Sequence, residues 1–418
     1  MFVYRREDLP TDPVFPADLT ELGYFVTDQD QIRKISDPTQ EFQYKINRNC
    51  RWNDVQREAM NECIRKIVSA RLRDLGLVNL HLPLRATTTE AHVPIMVSRN
   101  LSAASHIIVV FGEPIQDLGI WAYRSVGGAG IDAGSLVSFA RAVLRQGQAN
   151  GTSGNGDSDG DGDGDVADMP NTALVLANTG QLVWHCASGQ AITLVHWQNM
   201  PRPSAVDPPP GMSLRNRIPG HEYWQKHVNR VFEDILSARG RLVRPDARIS
   251  VVGASEGGLG ALRYLNKNWS SWRPFISAIC LANPLQLARI EFGSDYENAA
   301  SADPASFAAF VASRCRGYVL SDQPLGVPVE AMLDSGCNCY ASGEALNSEC
   351  IMPKAWRHAL GWLNQAFADP GYGEARLEIM HFDGGELDDA VEADGDDAVE
   401  ANVDDTVEAD VDEDGERS

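Results

Sequence analysis

The chain has 418 residues, 43% of them hydrophobic, and a formal net charge of −22. Most of this negative charge lies in two segments. Residues 383–418 hold seventeen Asp and Glu against one basic residue, Arg417, and residues 147–169 hold six Asp and no Lys or Arg. The rest of the chain balances acids against bases, which argues against an autonomous nucleic-acid binder, because such a protein needs a basic face for phosphates.

Targeting and membrane signals are missing from the sequence pattern. The residues after Met1 lack the apolar core of a secretory signal, and no run approaches the roughly 18 apolar residues of a membrane-spanning helix. The eight cysteines are scattered, and we expect them to be free thiols. These patterns predict an intracellular protein without a membrane partner, and they do not separate nucleus from cytoplasm.

The first part of the chain, residues 1–50, is predicted to be a loop-rich extension that packs on the main body. It contains short extended pieces at 24–26 and 42–46. Apolar residues then recur every three or four positions over 53–75, which is the spacing of one helix face. Two more extended segments are predicted, at 78–84 and 93–98.

From residue 106 onward, short and almost continuously apolar runs alternate with helical stretches. Such runs are typical of strands buried on both faces, and their alternation with helices indicates crossover connections. The predicted strands span 106–111, 173–177, 249–253, 276–282, 317–320 and 338–342. The predicted helices span 135–145, 221–238, 257–266, 305–313 and 353–367. Residues 51–382 are therefore predicted to form an α/β domain with a mainly parallel sheet and helices on both faces.

The two acidic segments are predicted to be disordered, the first as an insertion within the domain and the second as a C-terminal tail. In the insertion, Asp157, Asp159, Asp161 and Asp168 have the offsets of a calcium loop, but Gly164 stands where an apolar residue is required. We therefore predict no calcium site there. The tail repeats DDAVEADG-like units and is expected to keep the protein soluble, with attraction of basic partners such as histone tails as the alternative.

The sharpest local motif is Gly253-Ala254-Ser255-Glu256-Gly257, which matches the G-x-S-x-G nucleophile elbow of α/β-hydrolases. It directly follows a predicted strand and precedes a predicted helix. Small residues permit a sharp turn there, on which the Ser255 hydroxyl would project and the Glu256 N–H would point into an anion pocket. The alternative is a glycine-rich turn in which the serine only caps the helix.

A serine nucleophile also needs a base, an acid and a second oxyanion donor. Asp322, after the strand at 317–320, is the candidate acid, with a role in the turn as its alternative. Gly112 follows the first strand of the series and is the candidate oxyanion donor. The loop at 342–350, where the base is expected, contains no histidine. His358 lies inside the last predicted helix and His381 lies beyond it.

The other histidines and the cysteines offer weaker signals. We expect packing or capping roles for His81, His106, His185 and His196, and we expect His221 and His227 to be exposed on a helix. A zinc site is an alternative interpretation of Cys337, Cys339, Cys350 and His358, although the C-x-C spacing is not the usual one. We therefore predict no metal and no cofactor.

Several segments together resemble a known family, the Argonaute-binding protein domain of fungi, or "Arb-two" domain. This domain is also found at the C-terminus of fungal class II histone deacetylases and in an animal cotranscriptional regulator. The resemblance spans about residues 12–367, and its N-terminal block is the most specific part. The matching segments are the pieces between Phe15 and Arg33, Phe42 with Tyr44, NDVQREAMNEC at 53–63, HIIVVFGEP at 106–114, VVGASEGGLG at 251–260 and SDQPL at 321–325.

The resemblance implies an α/β-hydrolase-like fold and a nuclear role in small-RNA-linked heterochromatin assembly, within an Argonaute-containing complex. Some family members keep a His-Glu pair after the last strand, where this chain has Ser348-Glu349. That departure speaks against hydrolase activity and leaves the binding role untouched. Our leading hypothesis is a non-catalytic interaction subunit. The alternatives are a serine esterase or acyl hydrolase that uses Ser255, and a histone-facing chaperone that uses the acidic tail.

Overall fold

A computed structural model describes residues 5–146, 171–293, 303–329 and 335–377 of the protein. The acidic insertion, the acidic tail and His381 lie outside these residues. The predictions of disorder and the calcium-loop alternative therefore stay predictions.

An eight-stranded sheet forms the centre of the described structure, in the order β3-β4-β6-β5-β9-β10-β11-β12. Strand β4 runs antiparallel to both of its neighbours, and the other neighbouring pairs are parallel. This order, with its one reversed strand next to an edge, is that of α/β-hydrolases, and it confirms the predicted fold class. The strands are β1 (Tyr24–Val26), β2 (Ile32–Lys34), β3 (Leu77–Leu82), β4 (Val93–Ser98), β5 (His106–Phe111), β6 (Thr172–Leu176), β7 (Val183–His185), β8 (Gln190–Ile192), β9 (Arg248–Ala254), β10 (Ile276–Ala282), β11 (Cys315–Val319) and β12 (Asn338–Ala341).

The central strands are apolar throughout because helices cover both faces of the sheet. Side chains of a strand point alternately to opposite faces. In β5, Ile108 and Val110 pack into the core on one face, whereas Ile107 and Val109 pack into the core on the other. All four are buried, which explains why the sequence shows a continuous apolar run rather than alternation.

Helices α1, α3 and α10 pack on one face of the sheet, and α5, α6 and α9 pack on the other. No helix in the described ranges has the length and apolar character that crossing a membrane requires. The helices are α1 (Cys50–Asp74), α2 (Tyr123–Gly128), α3 (Val137–Gln146), α4 (Leu194–Asn199), α5 (Trp224–Arg230), α6 (Ser255–Lys267), α7 (Trp269–Trp272), α8 (Ala288–Glu291), α9 (Phe307–Arg314) and α10 (Ile351–Ala368). A π-helical segment, Val231–Leu236, continues α5.

Helix α1 begins three residues before the predicted start because Asn49 caps it. The Asn49 side chain accepts a hydrogen bond from the Arg51 N–H at 2.9 Å, which satisfies a backbone donor that the first turn leaves free. The extended piece predicted at 42–46 forms no strand in the described structure. The N–H groups of Ile46 and Asn47 bond instead to the Asn53 side chain on α1, each at 2.9 Å, so this segment is held by a helix rather than by a strand.

The N-terminal segment contributes to the main core. Tyr24 and Ile32 are buried there, with 4% and 1% of their surface exposed. Asp12 pairs with Arg51 of α1 through two contacts of 2.8 Å, and both side chains are buried. The described part of residues 1–50 is therefore built into the fold.

Candidate functional site

The G-x-S-x-G motif forms a sharp turn between a strand and a helix. β9 ends at Ala254 and α6 begins at Ser255. The φ angle of Ser255 is +45°, a left-handed conformation that is strained for a residue with a side chain. A Cβ on Gly253 would lie 2.3 Å from the Cα of Gly258, so the turn requires glycine there. The backbone has the geometry of a nucleophile elbow.

The Ser255 hydroxyl is buried and has two side-chain partners. It donates a hydrogen bond to Glu113 Oε1 at 2.9 Å and accepts one from Asn283 Nδ2 at 3.1 Å. Glu113 follows β5, and Asn283 follows β10 with a φ of +50°. Three neighbouring strands thus bring Ser255, Glu113 and Asn283 together at their carboxyl ends, which is where α/β sheets place their sites.

Glu113 places a buried carboxyl group beside the Ser255 hydroxyl. Burial raises the pKa of the Glu113 carboxyl, the hydrogen bond from Ser255 opposes this rise, and the charges of Glu256 and Glu349 add to it. Hydrolysis of an ester would require hydrogen-bond donors for a developing oxyanion next to the serine. The group next to the serine here is a carboxyl, and in its ionised form it would repel such an anion.

The other predicted site residues, Gly112, Glu256 and Asp322, make no side-chain hydrogen bond to Ser255 in the described residues. The carbonyl oxygen of Gly112 accepts a hydrogen bond from Thr179 Oγ1 at 2.7 Å. Glu256 is the second residue of α6 and is half-buried. Asp322 follows β11 and is exposed. In the described chain its side chain makes no hydrogen bond, so it orients no base. The oxyanion roles of Gly112 and Glu256 stay predictions.

No imidazole contacts Ser255 within the residues that the structure describes. His358 lies in α10, as predicted, and its Nδ1 is 2.9 Å from the hydroxyl of Tyr318. The expectation that His221 and His227 are exposed is wrong, since 1% and 0% of their surfaces are accessible. Their Nδ1 atoms are 3.0 Å apart, and this mutual bond satisfies polar atoms that the apolar core would otherwise exclude.

The segment after the last strand lies beside Glu113. Ser348 and Glu349 lie in a 3-10 turn, Ser348–Cys350, just before α10. They border a space of about 10 Å³ that Glu113 and Trp121 also line, and such a volume holds about one water. Arg124 binds Glu349 at 3.0 Å. The position predicted for a base therefore carries Ser348.

The four residues considered for zinc do not come together. Cys337 and Cys339 both lie beside the Ser335 hydroxyl, and Cys350 accepts a hydrogen bond from Ser125. His358 is occupied by Tyr318. Within the described ranges, no group of three or more His, Cys, Asp or Glu side chains could hold a metal ion.

Sequence reasoning missed Glu113 and Asn283, the two side chains that bind Ser255. Glu113 is adjacent to Gly112, whose backbone is the candidate oxyanion donor predicted from the sequence. Asn283 is the first polar residue after the apolar run of β10. A polar residue directly after a buried parallel strand next to the elbow strand was a usable signal, because the carboxyl ends of parallel strands share one edge.

Comparison with known proteins gives relatives for part of the chain. It is 28% identical over 150 residues to a Xenopus tropicalis protein named Cotranscriptional regulator ARB2A homolog, and the match covers 35% of each protein. It is 26% identical over 148 residues to the human Cotranscriptional regulator ARB2A, covering 34% of this chain and 35% of the human protein. The match thus spans about a third of the length of these relatives.

Solved structures resemble the chain more distantly. A histone deacetylase from Saccharomyces cerevisiae is 12% identical with a TM-score of 0.38, covering 73% of this chain and 97% of that chain. An esterase from Pyrobaculum calidifontis is 11% identical with a TM-score of 0.32, covering 79% and 94%. The fold class rests on the sheet order rather than on these scores. The sequence model of one family, the Arb2 domain, matches residues 15–325, and the chain therefore belongs to the Arb2 domain family.

Proposed function

We propose that this protein is a non-catalytic interaction subunit with an α/β-hydrolase-like fold. It acts in the nucleus, in small-RNA-linked heterochromatin assembly, as part of an Argonaute-containing complex. Two findings support the regulatory part of this proposal, the Arb2 domain match over residues 15–325 and the similarity to proteins named as cotranscriptional regulators. The Argonaute partner comes from the family resemblance described above.

The lack of catalysis is proposed from one observation: the Ser255 hydroxyl donates its hydrogen to the buried Glu113 carboxyl, and no imidazole touches it in the described residues. A serine hydroxyl becomes a nucleophile when a positioned base removes its proton. A carboxylate is a much weaker base than serine requires, and its charge opposes the oxyanion.

A fluorophosphonate probe, which labels activated serines, tests the absence of catalysis. We expect no labelling of the purified protein above that of Ser255→Ala, while an active serine esterase in the same tube is labelled. Labelling that disappears with Ser255→Ala would overturn the proposal and would favour the alternative, a serine esterase or acyl hydrolase.

Partner binding is tested separately, by co-purification of tagged protein with Argonaute and its complex. We expect Ser255→Ala to retain the complex at wild-type level, since the hydroxyl is buried and serves the fold. A chain that ends at Phe382 tests the acidic tail, whose charge we propose as an added contact for basic chromatin proteins such as histones. Loss of the Argonaute complex in folded Ser255→Ala would contradict a purely structural role for this serine.

A further inference from the structure

A groove separate from the serine site runs along α1. Its volume is about 740 Å³, and its walls are α1, the β3–β4 pair and the β7–β8 hairpin with α4. Neither Ser255 nor Glu113 lines it. The volume lies within the range of ligand-binding sites, about 300–1,000 Å³, so this groove has room for an occupant.

A buried charge cluster forms the inner end of the groove. Arg65 Nη1 lies 2.8 Å from Glu58 Oε1 and 3.1 Å from Asp117 Oδ2. Tyr123 and Gln181 also donate to Asp117, at 2.6 Å and 2.9 Å. Asp117 therefore accepts three hydrogen bonds, as a carboxylate does. Glu58 and Asp117 thus share a single guanidinium, and burial raises the pKa of Asp117. Lys66, Arg73 and Glu62 also line the groove.

Glu58 and His196, which both line the groove, are joined by a hydrogen bond. The Nδ1 atom of His196 is 2.7 Å from Glu58 Oε1. Burial acts to raise the pKa of Glu58, but the hydrogen bond from His196 and the charge of Arg65 outweigh it and hold the pKa below its usual value. An ionised carboxylate only accepts hydrogen bonds, so Nδ1 carries the proton that faces it.

With the proton on Nδ1 of His196, one acceptor of His196 and one of Glu58 are left for a ligand. In the neutral ring, Nε2 of His196 then has a free lone pair. Arg65 Nη2 lies 3.1 Å from the same Nδ1. With the proton on Nδ1 this contact joins two donors, so Arg65 donates no hydrogen bond to the ring. No hydrogen bond in the described residues uses Glu58 Oε2. Both Glu58 and His196 line the groove.

The rest of the groove suits an extended chain. Ser69, Asn79 and Gln190 line its walls, and none of their side chains makes a hydrogen bond in the described parts of the protein. Such hydroxyl and amide groups can pair with peptide N–H and C=O groups. Val14 and Phe15 form an apolar border, and 79% of the Val14 surface is exposed. A single amine would fill little of the 740 Å³ volume, whereas a peptide segment would occupy more of it.

We propose that the groove binds an extended peptide segment of a partner protein, and that a lysine or arginine side chain of this segment donates hydrogen bonds to Glu58 Oε2 and His196 Nε2. The Glu58 carboxylate selects the cation, and the wall residues hold the peptide backbone. This proposal deepens the proposed function, since it names the chemistry that an interaction subunit would recognise.

Retention of oriented peptide libraries on the immobilised full-length protein tests this. Four libraries carry Lys, Arg, norleucine or Glu at a fixed central position, between randomised flanks. We expect the Lys and Arg libraries to be retained at least tenfold above the norleucine and Glu libraries, since a charged hydrogen bond is removed in the latter two. Norleucine keeps the four-carbon chain of lysine and removes its ammonium group, so equal retention would overturn the proposal.

Glu58→Gln and Glu62→Gln form a matched pair of variants. Both residues line the groove one turn apart on α1, but Glu62 is bound to the exposed Lys66 at 2.9 Å. We expect the cation preference to fall about tenfold in Glu58→Gln and to persist in Glu62→Gln. An equal fall in both would contradict recognition by Glu58, because it would reflect the general charge of the surface.

His196→Gln provides a second variant if Glu58→Gln does not fold, as judged from its thermal unfolding. It is also expected to lose the preference. The groove site and the proposed function are tested by different measurements, so one can be overturned without the other. An Argonaute complex that forms while the libraries show no cation preference would overturn the groove site and leave the interaction role standing. Retention of the Lys and Arg libraries without any Argonaute complex would support the groove site and overturn the proposed function.

Discussion

Gly257 shows how tightly the elbow depends on single residues. A Cβ at this position would lie 2.3 Å from the carbonyl oxygen of Gly112 and 2.7 Å from that of Phe111. Both are backbone atoms at the end of a buried strand, and they have no room to move. We expect Gly257→Ala to lower the free energy of unfolding by about 2–4 kcal/mol, although alanine favours helix over glycine by about 1 kcal/mol. Urea denaturation measures this difference.

Gly361 of α10 is the matched control for this substitution. It is also a helical glycine, but a Cβ there would meet nothing within 4 Å. Gly361→Ala should therefore raise the free energy of unfolding by about 0.5–1 kcal/mol through helix propensity alone. If the two substitutions shifted stability in the same direction, close backbone packing at the elbow would not be the cause.

The α5 segment is held by a chain of hydrogen bonds between histidines, and this makes stability depend on pH. The N–H of Asn178 donates to His227 Nε2 at 3.1 Å, so the His227 proton lies on Nδ1 and faces His221. Burial lowers the pKa of His221 to about 4 and that of His227 well below its usual value. Both imidazoles are therefore neutral in the folded protein, whereas in the unfolded chain they titrate near 6.5.

As the pH falls below about 6.5, the unfolded chain binds protons that the folded protein excludes, so stability falls. Between pH 7 and pH 5 the loss is about 2 kcal/mol for each such histidine. Buried His106, whose pKa burial lowers to about 3, adds a similar amount. Denaturation at the two pH values should show this loss, and His227→Gln should reduce it. A stability that does not change over this range would contradict neutral buried histidines.

The elements were predictable from the sequence where a single physical cause sets the pattern. Burial on both faces makes β10 apolar from Ile276 to Ala282, and the predicted bounds match the observed ones. The site was less predictable, because it depends on which loops meet in space. Asp322 follows a strand as an acid should, yet it faces solvent, and the partner of Ser255 is Glu113. Side-chain direction within a loop leaves no periodic signal in the sequence.

At the scale of the whole molecule, the N-terminal segment packs against the hydrophobic core through Tyr24 and Ile32. Arg51 binds Asp12 and also donates to the carbonyl oxygen of Met200 at 2.8 Å, which links this segment to α1 and to the chain after α4. Leaving Arg51 buried without Asp12 would cost about 3–5 kcal/mol. Losing the buried side chains of Tyr24 and Ile32 from the core would cost about 1.5–3 kcal/mol more for each side chain.

Together these costs approach the whole stability of a typical domain, about 5–15 kcal/mol. A chain that begins at residue 47 should therefore lose its cooperative unfolding transition and its near-ultraviolet circular dichroism. The control is a chain that begins at Leu9, because residues 5–8 are exposed and their one ion pair, Arg6 with Asp207 at 3.7 Å, lies at the surface. This control should unfold within a few degrees of the full chain. A cooperative transition in the longer truncation would mean that the chain from residue 47 onward folds without the N-terminal segment. The segment would then be an accessory rather than a part of the core.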